Sequence, residues 1–333
     1  MIILLSLVVV FLAASSVVFV PRASGSDMSM MATVNGNTLT MNYSVSGGLY
    51  DRNVTAVALE VSRVHQGHIY VLINEGLEFK VKVSLQRLAD HFNNEFSLLG
   101  SDLTATVIGT DDLPTVFSDR QATLIVGPGA DLPDYYSYPA KRWVEKGGLW
   151  VGIGGDSAPF MYSLNNTDSP NATLRIDFVG MGYEDGEGAL ATPMAKALDM
   201  RYVAPETAFL LSDLKAAGGA SVGYEYKRGD NVLATAGIVP IGDGALLIMA
   251  GDMNPPPLAT GEEVLAWDLM KIVLLDVPWW SGNMQYQTTL FRSGLEGTLT
   301  MPLSGSDYVC CALLSNSDTF SGFLVQRISV RGT

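Results

Sequence analysis

The stretch GGLWVGIGGDSAPF, Gly147 to Phe160, runs an apolar strand into a glycine-rich turn with the polar tip Asp156-Ser157. Many α/β enzymes hold a nucleophile in a turn of this shape, where its side chain stands clear at the end of a strand and backbone amides face the reacting oxygen. Ser157 is the hydroxyl available, and a hydroxyl attacks only when a nearby base takes its proton. All three histidines of the chain, His65, His68 and His91, precede the turn. The competing reading is structural: the glycines permit a sharp bend, and Asp156 and Ser157 hydrogen-bond the next turn or helix. A carboxylate-based site around Asp156 and Asp252, at neighbouring strand ends, is the other enzymatic option.

Other reactive spacings are sparse. His65-Gln-Gly-His68 sets two imidazoles three apart, a candidate metal pair, but it lies just ahead of a strand with no carboxylate partner evident in the sequence. Glu184, Asp185 and Glu187 in GYEDGEG offer oxygen ligands of the calcium type at a spacing that does not match an EF-hand, so they read as an acidic surface loop. The glycines of VGPGADL do not make a phosphate-cradling loop. No cofactor is expected. Cys310 and Cys311 are the only cysteines, and neighbours on a strand point to opposite faces, so they read as small buried apolar groups. Trp279 and Trp280, after Pro278, read as packing anchors. Asn42, Asn53, Asn165 and Asn171 each begin an Asn-x-Ser/Thr sequon and are glycosylation candidates.

A formal net charge of −14 excludes a nucleic-acid partner, since that binding rests on clustered Lys and Arg neutralising phosphate. The first twenty residues, MIILLSLVVVFLAASSVVFV, carry no charge and have about the length of one membrane-spanning helix. Residues 1–22 are therefore read either as a signal peptide or as a retained transmembrane anchor, and both put the remainder outside the cytoplasm, secreted or membrane-anchored.

The elements that must position these residues follow from periodicity. ATVNGNTLTMNYSV alternates around Asn35-Gly36, a hairpin signal, and with VTAVALEVSRV makes an N-terminal β unit over 27–66. From His68 strands alternate with helices: HIYVLINEG, a helix in SLQRLADHFNNEFSLLG with Ser84 as N-cap, DLTATVIGT, QATLIVGPGADLP, a helix in PAKRWVEKGG, then LWVGIGG. Near-continuous apolar strands separated by helices predict a parallel sheet covered on both faces over 67–282. Strand patterning returns over 283–333 as a C-terminal β unit. The expected fold is α/β and flavodoxin-like, mostly parallel, with a small β domain made by the two terminal segments.

Two segments, ATLIVGPGADLPDYY and WVEKGGLWVGIGGDS, resemble the class I glutamine amidotransferase-like superfamily, over about Gly67 to Trp280. The resemblance aligns Gly152 with the first glycine of that family's Gly-x-Cys-x-Gly elbow, puts Gly154 where the cysteine belongs, and gives Asp156 for the last glycine. The family's late catalytic histidine has no counterpart; Gly251-Asp-Met-Asn-Pro-Pro-Pro257 stands in its region. Gly155-Asp-Ser157 is also similar to the start of a GDSL hydrolase, which would make Ser157 the nucleophile and would require a C-terminal histidine. The resemblance thus implies a degenerate member serving as a non-catalytic extracytoplasmic binding or assembly scaffold, a membrane-tethered subunit with protein partners or copies of itself. The alternatives are a hydrolase using Ser157 or the Asp-based site, and a surface-layer or filament subunit assembled through its N-terminal apolar helix.

Overall fold

The computed structural model describes residues 17–18, 26–47, 52–65, 67–98, 103–130, 132–155, 157–162, 173–180, 188–202, 207–251, 261–292, 294–316 and 321–330. Strand β1 (Ser26–Asn35) and strand β2 (Thr38–Gly47) form a hairpin whose turn has Gly36 at φ +56°, a conformation that glycine adopts without steric cost. Strand β3 (Arg52–Val61) follows.

The chain then alternates through β4 (Ile69–Leu72), α1 (Phe79–Leu98), β5 (Ala105–Ile108), α2 (Leu113–Ser118), β6 (Thr123–Val126), α3 (Ser137–Glu145) and β7 (Leu149–Ile153). These four strands pair in parallel in the order β5-β4-β6-β7. Every residue of β6 and β7 is buried, as helices on both faces require. Helix α1 starts at Phe79, so Ser84 is a buried helix-interior residue and not the N-cap expected.

Short elements come next: β8 (Phe178–Gly180), α4 (Pro193–Ala197), β9 (Thr207–Leu210), α5 (Leu211–Ala216), β10 (Tyr224–Arg228), β11 (Asn231–Ala234), β12 (Ala236–Ile241), β13 (Gly244–Met249) and α6 (Gly261–Leu274). Strand β13 adds in parallel to β7, β12 pairs antiparallel with β13, and Ala220–Ser221 pairs antiparallel with β12, which completes a seven-stranded mixed sheet. Strands β8, β9, β11 and β10, with Leu190–Ala191, make a separate antiparallel sheet.

The chain ends in β14 (Trp280–Phe291), β15 (Leu295–Pro302), β16 (Tyr308–Asn316) and β17 (Ser321–Ser329). One sheet has the order β1-β2-β15; a second runs β17-β16-β3-β14, with Val17–Val18 on the outer edge of β17. The two sheets enclose a core that includes Leu39, Met41 and Val45 from one and Ala56, Ala58, Val309 and Leu313 from the other. The opposite face of β3 and β16, with Val57, Leu59, Cys310 and Ala312, joins the core under the mixed sheet. Residues 1–16 and 19–22 of the expected signal or anchor lie outside the described residues; among the described residues no helix is long and apolar enough to cross a membrane.

The expectation of a mostly parallel, flavodoxin-like α/β fold is overturned. Twelve of the seventeen strand pairings among the described residues are antiparallel. Parallel pairing is confined to β5, β4, β6, β7 and β13 and to the contact of Met161–Tyr162 with Leu174–Arg175. The physical reason is that burial on both faces removes polar alternation whichever way the neighbouring strand runs. Moreover, the parallel strands are short, whereas β1 to β3 and β14 to β17 run eight to twelve residues each.

Glu60 on β3 is buried and holds the loop between β15 and β16. Its carboxylate accepts hydrogen bonds from the backbone N–H of Ser304 (2.9 Å), Gly305 (3.2 Å) and Ser306 (3.3 Å), from Asn283 Nδ2 (2.6 Å) and from the Ser304 hydroxyl. Burial alone would raise its pKa, but the donors from Ser304 and Asn283 outweigh that and hold it below the ordinary value. A depressed carboxyl pKa contributes stability above the unfolded value, and that contribution is lost as pH falls through the folded value. Glu60→Gln puts an amide NH2 against these donors. We expect it to lower the unfolding free energy at neutral pH by about 1–3 kcal/mol in urea titrations and to reduce the further loss of stability below the ordinary carboxyl value of 4.5.

Candidate functional site

Strand β7 ends at Ile153, and the turn that follows is closed by its own hydrogen bonds. Gly154 has φ +83°, and its N–H donates to Met249 O at the end of β13, 2.9 Å away. A Cβ on Gly154 would lie 2.7 Å from Pro128 Cβ and 2.9 Å from Gly251 O, so the position aligned with the superfamily nucleophile has no room for a side chain. Ser157 is 1% exposed, and its hydroxyl donates to Gly154 O at 2.8 Å. Trp150 Nε1 donates to Ser157 O at 2.9 Å, and Ser137 at the start of α3 donates to Pro159 O at 2.7 Å. Gly152 is required beneath this arrangement, because a Cβ there would meet Ser157 Oγ at 2.4 Å. Asp156, Asp252, Glu184, Asp185, Glu187, Asn165 and Asn171 lie outside the described residues.

The histidines are elsewhere. Because β4, β6 and β7 are parallel and in register at Ile69, Thr123 and Leu149, residues just before β4 lie at the amino edge of the sheet, while the turn after Ile153 lies at the carboxyl edge. The four steps of β7 alone span about 13 Å. His65 is buried, with its ring stacked on Trp279 at 4.9 Å and 17° and its Nε2 without a hydrogen bond. Burial first, then the charge of Arg63, lowers its pKa to about 4. His68 is exposed and faces Asp119, Nδ1 to Oδ2 3.2 Å. That partner had no sequence signal, since Asp119 arrives from the loop before β6. The two imidazoles therefore sit in different surroundings, and among the described residues no three His, Cys, Asp or Glu side chains could hold a metal ion. His91 packs edge-on against Trp267, 5.4 Å between ring centres.

Sequence reading missed the most connected polar group at the amino edge. Asp276, fully buried and at φ +54°, accepts from His65 N (2.8 Å) through Oδ1, and from Arg327 Nε (2.8 Å) and Cys310 Sγ (3.4 Å) through Oδ2. Arg327 Nη2 also donates to Leu274 O at 2.7 Å. Burial pushes the Asp276 carboxyl up against the pull of Arg327. Burial and the adjacent carboxylate push the Cys310 thiol well up, and burial alone takes Cys311 up to about 12. Neither sulfur has the thiolate character that reactivity needs. The residues joined here come from α6, β16, β17 and the segment after β3, a convergence that spacing along the chain does not reveal.

No family model matches the chain, and no curated protein is similar to it. Among solved structures it is similar to a ThuA-like protein from Bacteroides uniformis, with 12% identity over 63% of this chain and 93% of that one and a TM-score of 0.39. It is also similar to β-galactosidases from Rahnella sp. R3 (13% identity, TM-score 0.35) and Bacillus circulans (8%, 0.32), covering 80% of this chain in each case. The matched part spans 42% of each β-galactosidase. These are coarse likenesses, and at such identities and scores they carry neither a fold nor an activity over to this chain.

Two outcomes follow from this geometry. Gly154→Ala combines a positive φ with the Pro128 and Gly251 contacts, and urea denaturation should show a loss of about 2–4 kcal/mol. His65 is neutral when folded, so its contribution is complete above the unfolded pKa of 6.5 and is lost as pH falls towards about 4. His65→Phe keeps the stack on Trp279 and the backbone bond to Asp276; it should reduce the acid-induced loss in that window by up to about 3 kcal/mol, read from unfolding midpoints across the pH range.

Proposed function

We propose that this chain is a non-catalytic binding or assembly scaffold, held outside the cytoplasm at a membrane as a subunit of a larger complex. In this reading the turn after β7 is a degenerate form of the class I glutamine amidotransferase elbow. The observation that carries it is the closure of that turn on itself: Ser157 is buried with its proton donated to Gly154 O, and the Gly154 position is filled by Pro128 and Gly251. A hydrolase would need Ser157 accessible and beside a base, and His65 and His68 are at the opposite edge of the sheet. The apolar run over residues 1–20 supports the membrane tether.

The test uses protein extracted with detergent from its own membranes. A fluorophosphonate probe should leave Ser157 unlabelled, and the protein should sediment as an assembly larger than one chain. Ser157→Ala should leave that assembly intact, with a stability loss of about 1 kcal/mol for the lost hydrogen bond. Probe labelling at Ser157 that the substitution abolishes, together with a drop in hydrolytic turnover on the order of a million-fold, would replace the scaffold by a hydrolase. Recovery as a lone chain would remove the assembly role.

A further inference from the structure

We propose that Asn42 carries an N-linked glycan, whose first sugars lie in a groove on the outer face of the β1-β2-β15 sheet. The groove has a volume of about 540 Å³, and Ser29, Met31, Asn42, Ser44, Glu296 and Thr298 contribute to its lining. Gly297, opposite Tyr43 in the β2–β15 ladder, belongs to the inner face of the sheet, where the Tyr43 ring occupies the space that a Cβ would take. Met31 is 62% exposed among hydroxyl and amide groups. An apolar surface beside hydrogen-bonding groups matches a pyranose, which has a C–H face and a hydroxyl rim.

The asparagine itself is set for modification. Asn42-Tyr43-Ser44 is a sequon, and Asn42 is exposed. Its Oδ1 accepts from Thr298 Oγ1 at 2.9 Å, which fixes the amide orientation and leaves Nδ2 without a hydrogen bond to any described residue. The sequon hydroxyl, Ser44, is only half-buried and pairs with Ser29 Oγ at 2.7 Å. Asn53 is exposed too, but its sequon hydroxyl on Thr55 is buried and bonded to Thr288, 2.9 Å away. The transfer takes a lipid-linked oligosaccharide as donor. A bond forms between Asn42 Nδ2 and sugar C1, the C1–O bond to the lipid phosphate breaks with its electron pair on the phosphate, and Nδ2 loses one proton; nothing is oxidised or reduced. Strand β2 is paired on both sides in the fold, so transfer precedes the docking of β15.

The inference rests on the extracytoplasmic part of the proposed function, and one experiment separates the two. Trypsin cuts after Arg22, Arg52 and Arg63, so Asn42 and Asn53 fall in different peptides, 23–52 and 53–63. Mass spectrometry of the native protein should find a glycan increment on 23–52 that is lost in Asn42→Gln and in Ser44→Ala and kept in Ser44→Thr. Peroxide should oxidise Met31 severalfold faster in Asn42→Gln than in the parent. An unmodified 23–52 peptide overturns the proposal, and equal Met31 oxidation overturns the seating in the groove. A membrane-impermeant amine reagent on intact cells tells the failures apart: labelled but unmodified protein sinks only the glycan, while unlabelled protein removes the extracytoplasmic location as well.

Discussion

The Asp276 carboxylate is the constraint on which the arrangement of the two halves depends. It is fully buried just after α6, and its hydrogen bonds reach the segment after β3, the first half of β16 and the end of β17. A buried charge is tolerated only when paired and fully hydrogen-bonded, and removing one partner from such a set leaves an uncompensated ion that costs several kcal/mol. The α/β half and the terminal strands thus cannot separate without exposing this ion pair or stranding it. The left-handed backbone at Asp276 belongs to the same device, since it turns the chain from α6 through Val277–Trp279 to Trp280, where β14 starts.

This joint has an effect on where chemistry is possible. Open sheets with parallel strands present ligand sites at the carboxyl ends of those strands. Here the amino edge is sealed by the ring stack of His65 on Trp279, by Arg63 donating to Asp243 O and by Trp279 Nε1 donating to the same oxygen. His65 and the Asp276 carboxylate are spent on holding the halves together, while His68 faces Asp119 within the α/β half and His91 packs on Trp267. The carboxyl edge keeps the glycine turns and Ser157 but receives no histidine. The fold thus places His65 and His68 at the opposite edge of the same strands from Ser157.

What was legible in the sequence depended on how local its cause was. The hairpin at Gly36, the strands β4 to β7 and the helix before β7 follow from turn chemistry and periodicity within a few residues, and they are found where those signals lie. The direction of pairing was not legible for β3 and β16: VTAVALEV and YVCCALLS lack polar alternation because each is buried between two cores, one shared with Met41 and Leu39, the other with the mixed sheet. Cys310 and Cys311 were readable as opposite-facing buried groups because strand geometry alone fixes that. Asp276 was not, since its three connections, to His65, Cys310 and Arg327, reach over more than two hundred residues and none leaves a motif. Ser84 misled for a related reason: a cap residue in sequence is indistinguishable from a small residue buried within a longer helix, and α1 begins a turn and a half earlier.

The elbow-like turn also has a reason to exist without any nucleophile. Gly152 must lack a side chain so that Ser157 Oγ can approach and close the turn, and Gly154 must lack one so that Pro128 and Gly251 can pack from the neighbouring strand ends. Trp150 in turn relies on the Ser157 carbonyl for its indole N–H, and Phe160 packs on the Trp150 ring at 5.4 Å. Each glycine is thus explained by a contact within the core, and together they reproduce the outline of a catalytic turn from packing requirements alone. Pattern resemblance at such a turn reports the geometry of a strand meeting a tight bend, while chemistry depends on what fills the space that the bend encloses. In this chain that space is filled by protein.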